Sequence, residues 1–254
     1  MVELKHQNPG FKPQEIVGTA THSSRYSVIV EGVNDVAWYR EIEGKSLGGV
    51  FFTAVGGRSN VLKCYEYAIR LGVKGVVFVV DKDLWAIYGV PSAYNDVVTT
   101  SGYSIENDVL KDSPVHRLFN PDDRRQIAEC AHLLARWFAF HAETYKNRTE
   151  DDLAHKYPGV WNVIKKEGES YSFNEETLRR LNYVEPPKDI VTFIHEEFEM
   201  RFRGKSLLEL YLKFLKSYNS KNLMEMSIKI WTTETQKSLV NRIRAAFQKQ
   251  GISL

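Results

Sequence analysis

The chain has 254 residues, 43% hydrophobic and 26% charged, a composition that allows one large domain or two modest ones and excludes a disordered chain. No apolar run approaches the roughly 18 residues that span a bilayer, and Met1–His6 opens without an apolar leader, so a soluble, unexported, cytoplasmic protein is expected. The net charge is only +2 but unevenly spread: residues 1–115 hold 11 Lys/Arg against 13 Asp/Glu, residues 116–254 hold 23 against 19, and the stretch 201–254 holds 11 against 3.

Residues 1–25 read as a polar N-terminal arm broken by Pro9-Gly10 and Pro13. Val28–Val30 predicts a strand ending at Glu31-Gly32, and Asn34 or Asp35 can cap a helix reaching about Glu43. Gly48-Gly49 returns the chain to a strand over Val50–Val55. Gly56-Gly57-Arg58-Ser59-Asn60 then opens a helix in which Val61, Leu62, Tyr65, Ala68, Ile69 and Leu71 recur at helical spacing until Gly72. Val76–Val80 is a continuous apolar run, the mark of a strand covered on both faces, and it ends in Asp81-Lys82-Asp83. A short strand follows at Val97–Thr100, and a helix starts near Ser104 with Glu106-Asn107-Asp108 in its first turn. This alternation predicts an α/β fold over 26–115, a mostly parallel sheet flanked by helices.

From 116 to 254 the pattern becomes mainly helical. Arg125–Tyr145 carries Ile127, Cys130, Ala131, Leu134, Ala135, Phe138 and His141 at helical spacing. Residues 146–188 are irregular, with Pro158-Gly159 and Pro186-Pro187 as breakers, and helices resume at Ile190–Arg203, Leu207–Tyr218 and Thr235–Lys249. Gly204-Lys205-Ser206 lacks the earlier glycine and the strand of a phosphate-binding loop and reads as a turn. His195-Glu196-Glu197-Phe198-Glu199 lacks the second histidine of a zinc-protease helix and reads as solvated helix. Cys64 and Cys130 stand far apart, without a Cys-x-x-Cys pattern or paired histidines, and read as buried free thiols.

Acidic residues at strand ends carry the chemistry. Ligands in open α/β sheets bind where the strands end, and hard carboxylate oxygens there suit Mg²⁺ or Mn²⁺. Asp81 and Asp83 share one side of the chain if it stays extended, with Lys82 facing away. Divalent ions held there would stabilise charge on phosphorus and activate a water, Asp81 and Asp83 acting as ligands and Glu31 as a ligand or as the base. Glu106 is either a further ligand or only an acid at a helix start. Gly57, Arg58 and Ser59 either hold a phosphate at the helix N-terminus or form a tight turn. In the basic tail Lys213, Lys216, Lys221, Lys229, Lys237, Arg242, Arg244 and Lys249 alternate with Tyr211, Tyr218, Trp231 and Phe247. Two readings have equal weight: phosphate contacts from Lys213, Lys216, Arg242 and Arg244 with base stacking by the aromatics, or an ordinary solvated face over core aromatics.

The set Glu31-Gly32, Gly56-Gly57-Arg58-Ser59-Asn60 and Asp81-Lys82-Asp83 resembles the TOPRIM fold of topoisomerases, bacterial primases and small nucleases. With Ile29–Asp35, Val80–Asp83 and Ser104-Ile105-Glu106-Asn107 included, it is most similar to OLD-like TOPRIM proteins, a family that includes the effector subunit of the PARIS anti-phage system. The likeness covers motifs within 26–110. It implies a Mg²⁺-dependent nuclease with Glu31, Asp81 and Asp83 as its acidic set and, in the PARIS case, a toxin acting on transfer RNA after release from an ABC-type ATPase partner. The residues themselves leave DNA, RNA and tRNA open as substrates, and a homo-oligomer is equally open. Two alternatives stand beside the nuclease: a non-hydrolytic nucleotide- or metal-binding regulatory module, and a non-nucleolytic TOPRIM phosphotransferase or primase-like enzyme.

Overall fold

The computed structural model describes residues 11–23, 25–33, 36, 38–41, 47–146, 157–230 and 233–254. Asn34 and Asp35, the expected caps of a helix toward Glu43, and Trp231 lie outside the described residues. In chain order the elements are α1 (Pro13–His22), β1 (Tyr26–Val30), β2 (Val50–Ala54), α2 (Arg58–Leu71), β3 (Val76–Val80), α3 (Trp85–Tyr88), β4 (Val98–Thr99), α4 (Ile105–Leu110) and α5 (Pro121–Tyr145). They continue with α6 (Val160–Val163), β5 (Ile164–Glu167), β6 (Ser170–Phe173), α7 (Glu175–Arg180), α8 (Lys188–Glu196), α9 (Phe198–Arg201), α10 (Gly204–Phe214), α11 (Ser220–Ile230) and α12 (Glu234–Lys249). The chain is α/β, and among the described residues no helix is long and apolar enough to cross a membrane.

Two compact units divide these elements. The first takes its residues from Met1–Asp81, Pro91–Thr100 and Glu234–Leu254, the second from Lys82–Val90 and Ser101–Thr233. In the first unit four strands form a parallel sheet in the order β2-β1-β3-β4. The two inner strands are the two apolar runs: β3 is buried at every position and β1 at every position after Tyr26, as strands covered on both faces must be. Strand β2, at the edge, alternates exposed Phe51 with buried Val50 and Phe52. Helix α2 turns Val61, Cys64, Tyr65 and Ala68 inward and stops at Gly72, whose left-handed backbone (φ 63°) returns its N–H to the last turn.

Two helices join this unit that the sequence reading did not place in it: α1 was not expected as a helix, and α12 was expected as a helix of the C-terminal region. The expected arm contains α1, which starts on Pro13 and buries only Val17 and Ala20, too short an apolar face to register as a pattern. The C-terminal α12 packs on β3 and β4, with Phe247 against Tyr26. Beyond it the Gln250 amide accepts from the Gly75 N–H (2.7 Å) and donates to the Val76 carbonyl (2.9 Å), closing the start of β3.

The second unit is built on α5, which begins with an Asn120/Asp123 capping box and Pro121 and buries Cys130, Leu134, Trp137, Phe138 and His141 along one face. Residues 146–188, read as irregular, contain the antiparallel hairpin β5-β6, turned at Gly168 (φ 64°). Its first strand, Ile-Lys-Lys-Glu, is mostly solvent-facing and has no apolar alternation; Ile164, Tyr171 and Phe173 supply its buried side. The helix expected over Ile190–Arg203 breaks at Glu197 (φ −125°, ψ 50°) into α8 and α9. The expected turn at Gly204 is instead the first residue of α10, and α11, with Leu223, Met224 and Ile228 buried at helical spacing, lies where the sequence reading placed no helix. A Cβ on Gly204 would stand 2.1 Å from the Ser104 hydroxyl and 2.8 Å from Asn107 Oδ1, so the glycine is required by packing.

Candidate functional site

Because β1, β2 and β3 run parallel, their carboxyl ends lie on one edge of the first unit's sheet, and the order β2-β1-β3 places β1 between the other two. Glu31 follows β1, Gly56 and Gly57 come just after β2, and Asp81 follows β3. These segments are tied together through Glu31. Its carbonyl accepts the N–H groups of Gly56 and Gly57, both at 2.8 Å, and its carboxylate Oε1 accepts the Asp81 N–H at 2.9 Å. Gly56 (φ 81°) and Gly57 (φ 116°) hold backbone conformations that side chains resist, which is why this loop is glycine. Arg58, the first residue of α2, is 8% exposed and donates Nη1–H to the Asp81 carbonyl at 2.7 Å. Asn60 closes the loop by donating to the carbonyls of Val55 and Gly56.

The first unit therefore brings together Glu31, Gly57, Arg58 and Asp81 of the expected site, with Ser59 exposed one residue into α2. Both Glu31 and Asp81 are half-buried. Arg58 lies inward, its guanidinium fixing the Asp81 peptide at the strand end.

No protein-family model and no curated protein matches the chain.

Asp83 and Glu106 belong to the second unit. The extended geometry expected through Asp81-Lys82-Asp83 is replaced by a turn: Asp83 is left-handed (φ 48°), a conformation that aspartate tolerates, and its N–H donates to the Tyr103 carbonyl at 2.7 Å. Lys82 donates Nζ–H to the Ser101 carbonyl at 2.8 Å, which accounts for a cation between two acids. Glu106 accepts from the Ser104 hydroxyl at 2.6 Å in the first turn of α4.

The residues beside Glu106 have structural roles that the sequence reading did not assign. Asn107 forms a capping box with Ser104 and donates its amide to the carbonyls of Glu199 (2.6 Å) and Phe202 (2.9 Å). Asp108 is fully buried and accepts the N–H groups of Ser101 (2.8 Å) and Gly102 (2.7 Å). The Ser-x-x-Asn spacing is the one sequence signal that could have identified the cap.

Among the described residues no group of three or more histidines, cysteines or carboxylates gathers that could hold an ion. The pair Glu31 and Asp81 still suits a hard cation, because Mg²⁺ keeps several waters and is commonly bound by one or two carboxylates together with substrate phosphates. Cys64 and Cys130 are buried and free, and burial pushes both thiols up to about 12, so neither supplies a nucleophile at neutral pH.

The basic tail is divided between the units. Lys213 and Lys216 are in the second, where Lys213 Nζ lies 5.0 Å from the Trp161 ring centre and Lys216 is exposed; Arg242 and Arg244 are half-buried on α12 of the first. Lys221, Lys237 and Lys249 face Glu225, Glu234 and Asp96 at 3.8, 2.6 and 3.0 Å. Of the two readings of the tail aromatics, Tyr211 and Phe247 follow the core one, at 2% and 0% exposed.

Proposed function

We propose that the sheet edge of the first unit is the active centre of a divalent-metal-dependent phosphodiester hydrolase acting on nucleic acid, of the TOPRIM kind. The observation that carries this reading is the Glu31–Asp81 pair: two half-buried carboxylate residues on adjacent parallel strand ends, joined by the 2.9 Å bond from the Asp81 N–H to Glu31. Asp81 and Glu31 would hold Mg²⁺ or Mn²⁺, which supplies charge stabilisation on phosphorus and a more acidic water. Glu31 positions the Asp81 peptide and accepts a proton at its carboxylate. Arg58 and the two glycine amides keep the β2–α2 loop and the β3 end in fixed register. Asp83, the third acid that the motif resemblance implies, belongs to the second unit. The finer reading, a tRNA-cleaving toxin held by an ABC-type ATPase partner in anti-phage defence, rests on the resemblance of these motifs.

A metal-titrated cleavage assay on DNA, RNA and tRNA tests the proposal with the wild type and Glu31→Gln. Cleavage that needs Mg²⁺ or Mn²⁺ and falls by about a hundredfold or more in Glu31→Gln is expected. Undiminished cleavage by a folded Glu31→Gln protein overturns it. One observation favours a second reading, a non-hydrolytic nucleotide- or metal-binding module: Glu31 Oε1 and Arg58 Nη1 both serve to fix the Asp81 peptide. Metal-dependent nucleotide binding without cleavage of any substrate would establish that module instead.

A further inference from the structure

The second unit contains a cavity of about 510 Å³, a size typical of sites for small organic ligands, between the Pro114–Leu118 turn, the start of α5, and helices α8, α9 and α10. Its apolar walls include Phe119, Ile127, Ala131, Phe198 and Tyr211. Phe119 (4% exposed) and Tyr211 (2% exposed) pack edge to face with ring centres 5.1 Å apart, so they form a fixed, nearly closed back wall behind Ile127, Ala131 and Phe198.

Two of its polar side chains are permanent cations. Arg117 and Arg124 line the cavity with His116 and His195. Arg124 directs Nε–H to the Phe119 carbonyl (3.1 Å) and Nη2–H to the His116 carbonyl (3.2 Å), which fixes its plane with two of its five N–H donors. The one acid, Glu199, is already matched within the wall. It accepts from the Tyr211 hydroxyl, and Lys111 Nζ and His116 Nε2 each stand 3.4 Å from it. Burial and the Glu199 charge hold the Tyr211 phenol well above its ordinary range, so it remains a neutral donor. With Lys111 balancing Glu199, the two arginines leave an excess of two positive charges when both histidines are neutral.

We propose that this cavity is a binding site for a small aromatic phosphate, the ring lying against the apolar wall of Ile127, Ala131 and Phe198 and the dianion meeting Arg117 and Arg124. A phosphate dianion matches two positive charges, which a carboxylate does not, and guanidinium forks bind phosphate oxygens in pairs. The cavity is lined by residues of the second unit alone and does not depend on the function proposed for the first.

Isothermal titration of the full chain with 1-naphthyl phosphate tests the assignment, beside 1-naphthol, 1-naphthoate and inorganic phosphate. Naphthyl phosphate binding about tenfold or more tighter than each of the others is expected, as is a similar loss in Arg117→Gln, since one charge-assisted contact is worth that factor. Ala128→Trp, at an exposed position of α5 that also lines the cavity, should block binding without lowering the thermal midpoint. Equal binding of 1-naphthol, equal or tighter binding of 1-naphthoate, no binding of naphthyl phosphate, or unchanged affinity in a folded Arg117→Gln protein would each overturn the proposal.

Discussion

Asp81-Lys82-Asp83 and Glu106-Asn107-Asp108 look alike as sequence, short acidic clusters beside apolar runs, yet Asp81 of the first unit and Asp108 of the second are held in opposite ways. At the sheet edge of the first unit it is the backbone of Asp81 that is tied down, its N–H by Glu31 and its carbonyl by Arg58, while the residue stays half-buried. In the second unit Asp108 is fully buried and its carboxylate itself is bonded to two backbone N–H groups. A carboxylate that holds the backbone together from within the core is part of the fold. One at a strand end beside a second acid stands where open α/β sheets bind their ligands.

The largest effect expected from this contrast concerns another buried polar group of the second unit. His141 is 4% exposed, lies among Phe138, Tyr145 and Tyr157, and is lowered from 6.5 to about 3 by burial, with the Arg203 charge adding to the shift. The unfolded chain therefore takes up the proton more readily than the folded one. The stability from a neutral His141 is complete above about pH 6.5 and is lost as pH falls from there toward 3. His141→Phe, which keeps a ring stacked on Phe138, should reduce the acid-induced loss between pH 7 and pH 3 by on the order of 4 kcal/mol relative to wild type, read by urea denaturation at both pH values. Parallel losses in both proteins would show that His141 is not the acid-sensitive group.

Asp108→Ala comes next. It removes two charge-assisted bonds and leaves their N–H donors without the carboxylate, at a cost of about 3 kcal/mol in chemical denaturation. A cost below about 1 kcal/mol would put Asp108 on the same footing as a surface acid and erase the contrast. Gly204→Ala forces a Cβ into Ser104 and Asn107 and should cost about 2 kcal/mol; a neutral result in the same assay would show that α10 shifts freely away from the α4 cap. The smallest stability effect is predicted for Asp81→Asn, under about 1 kcal/mol in chelator, because the backbone bonds that hold residue 81 are retained. That variant should nonetheless weaken Mn²⁺ binding about tenfold or more by calorimetry. Wild-type metal affinity in Asp81→Asn would make the sheet edge as structural as Asp108.

The α/β class, the inner strands β1 and β3 and the helices α2, α5 and α12 were legible in the sequence, because apolar runs and helical spacing are local consequences of burying one side of an element. The loop Gly56-Gly57 was legible for a similar reason, since positive φ leaves a glycine signature. Hairpin β5-β6 and helix α1 were not, for each buries too few apolar side chains to leave a period, and the break at Glu197 carries no glycine or proline. Which acids belong to the core was decided only by tertiary structure. Glu31 and Asp81 meet because strands fifty residues apart in sequence pair in parallel, while Asp108 disappears into the core because the chain before α4 folds its own amides onto that carboxylate. The sequence determines which residues carry charge, but whether a charge faces solvent, a backbone N–H or a second acid depends on long-range pairing, and long-range pairing has no local period.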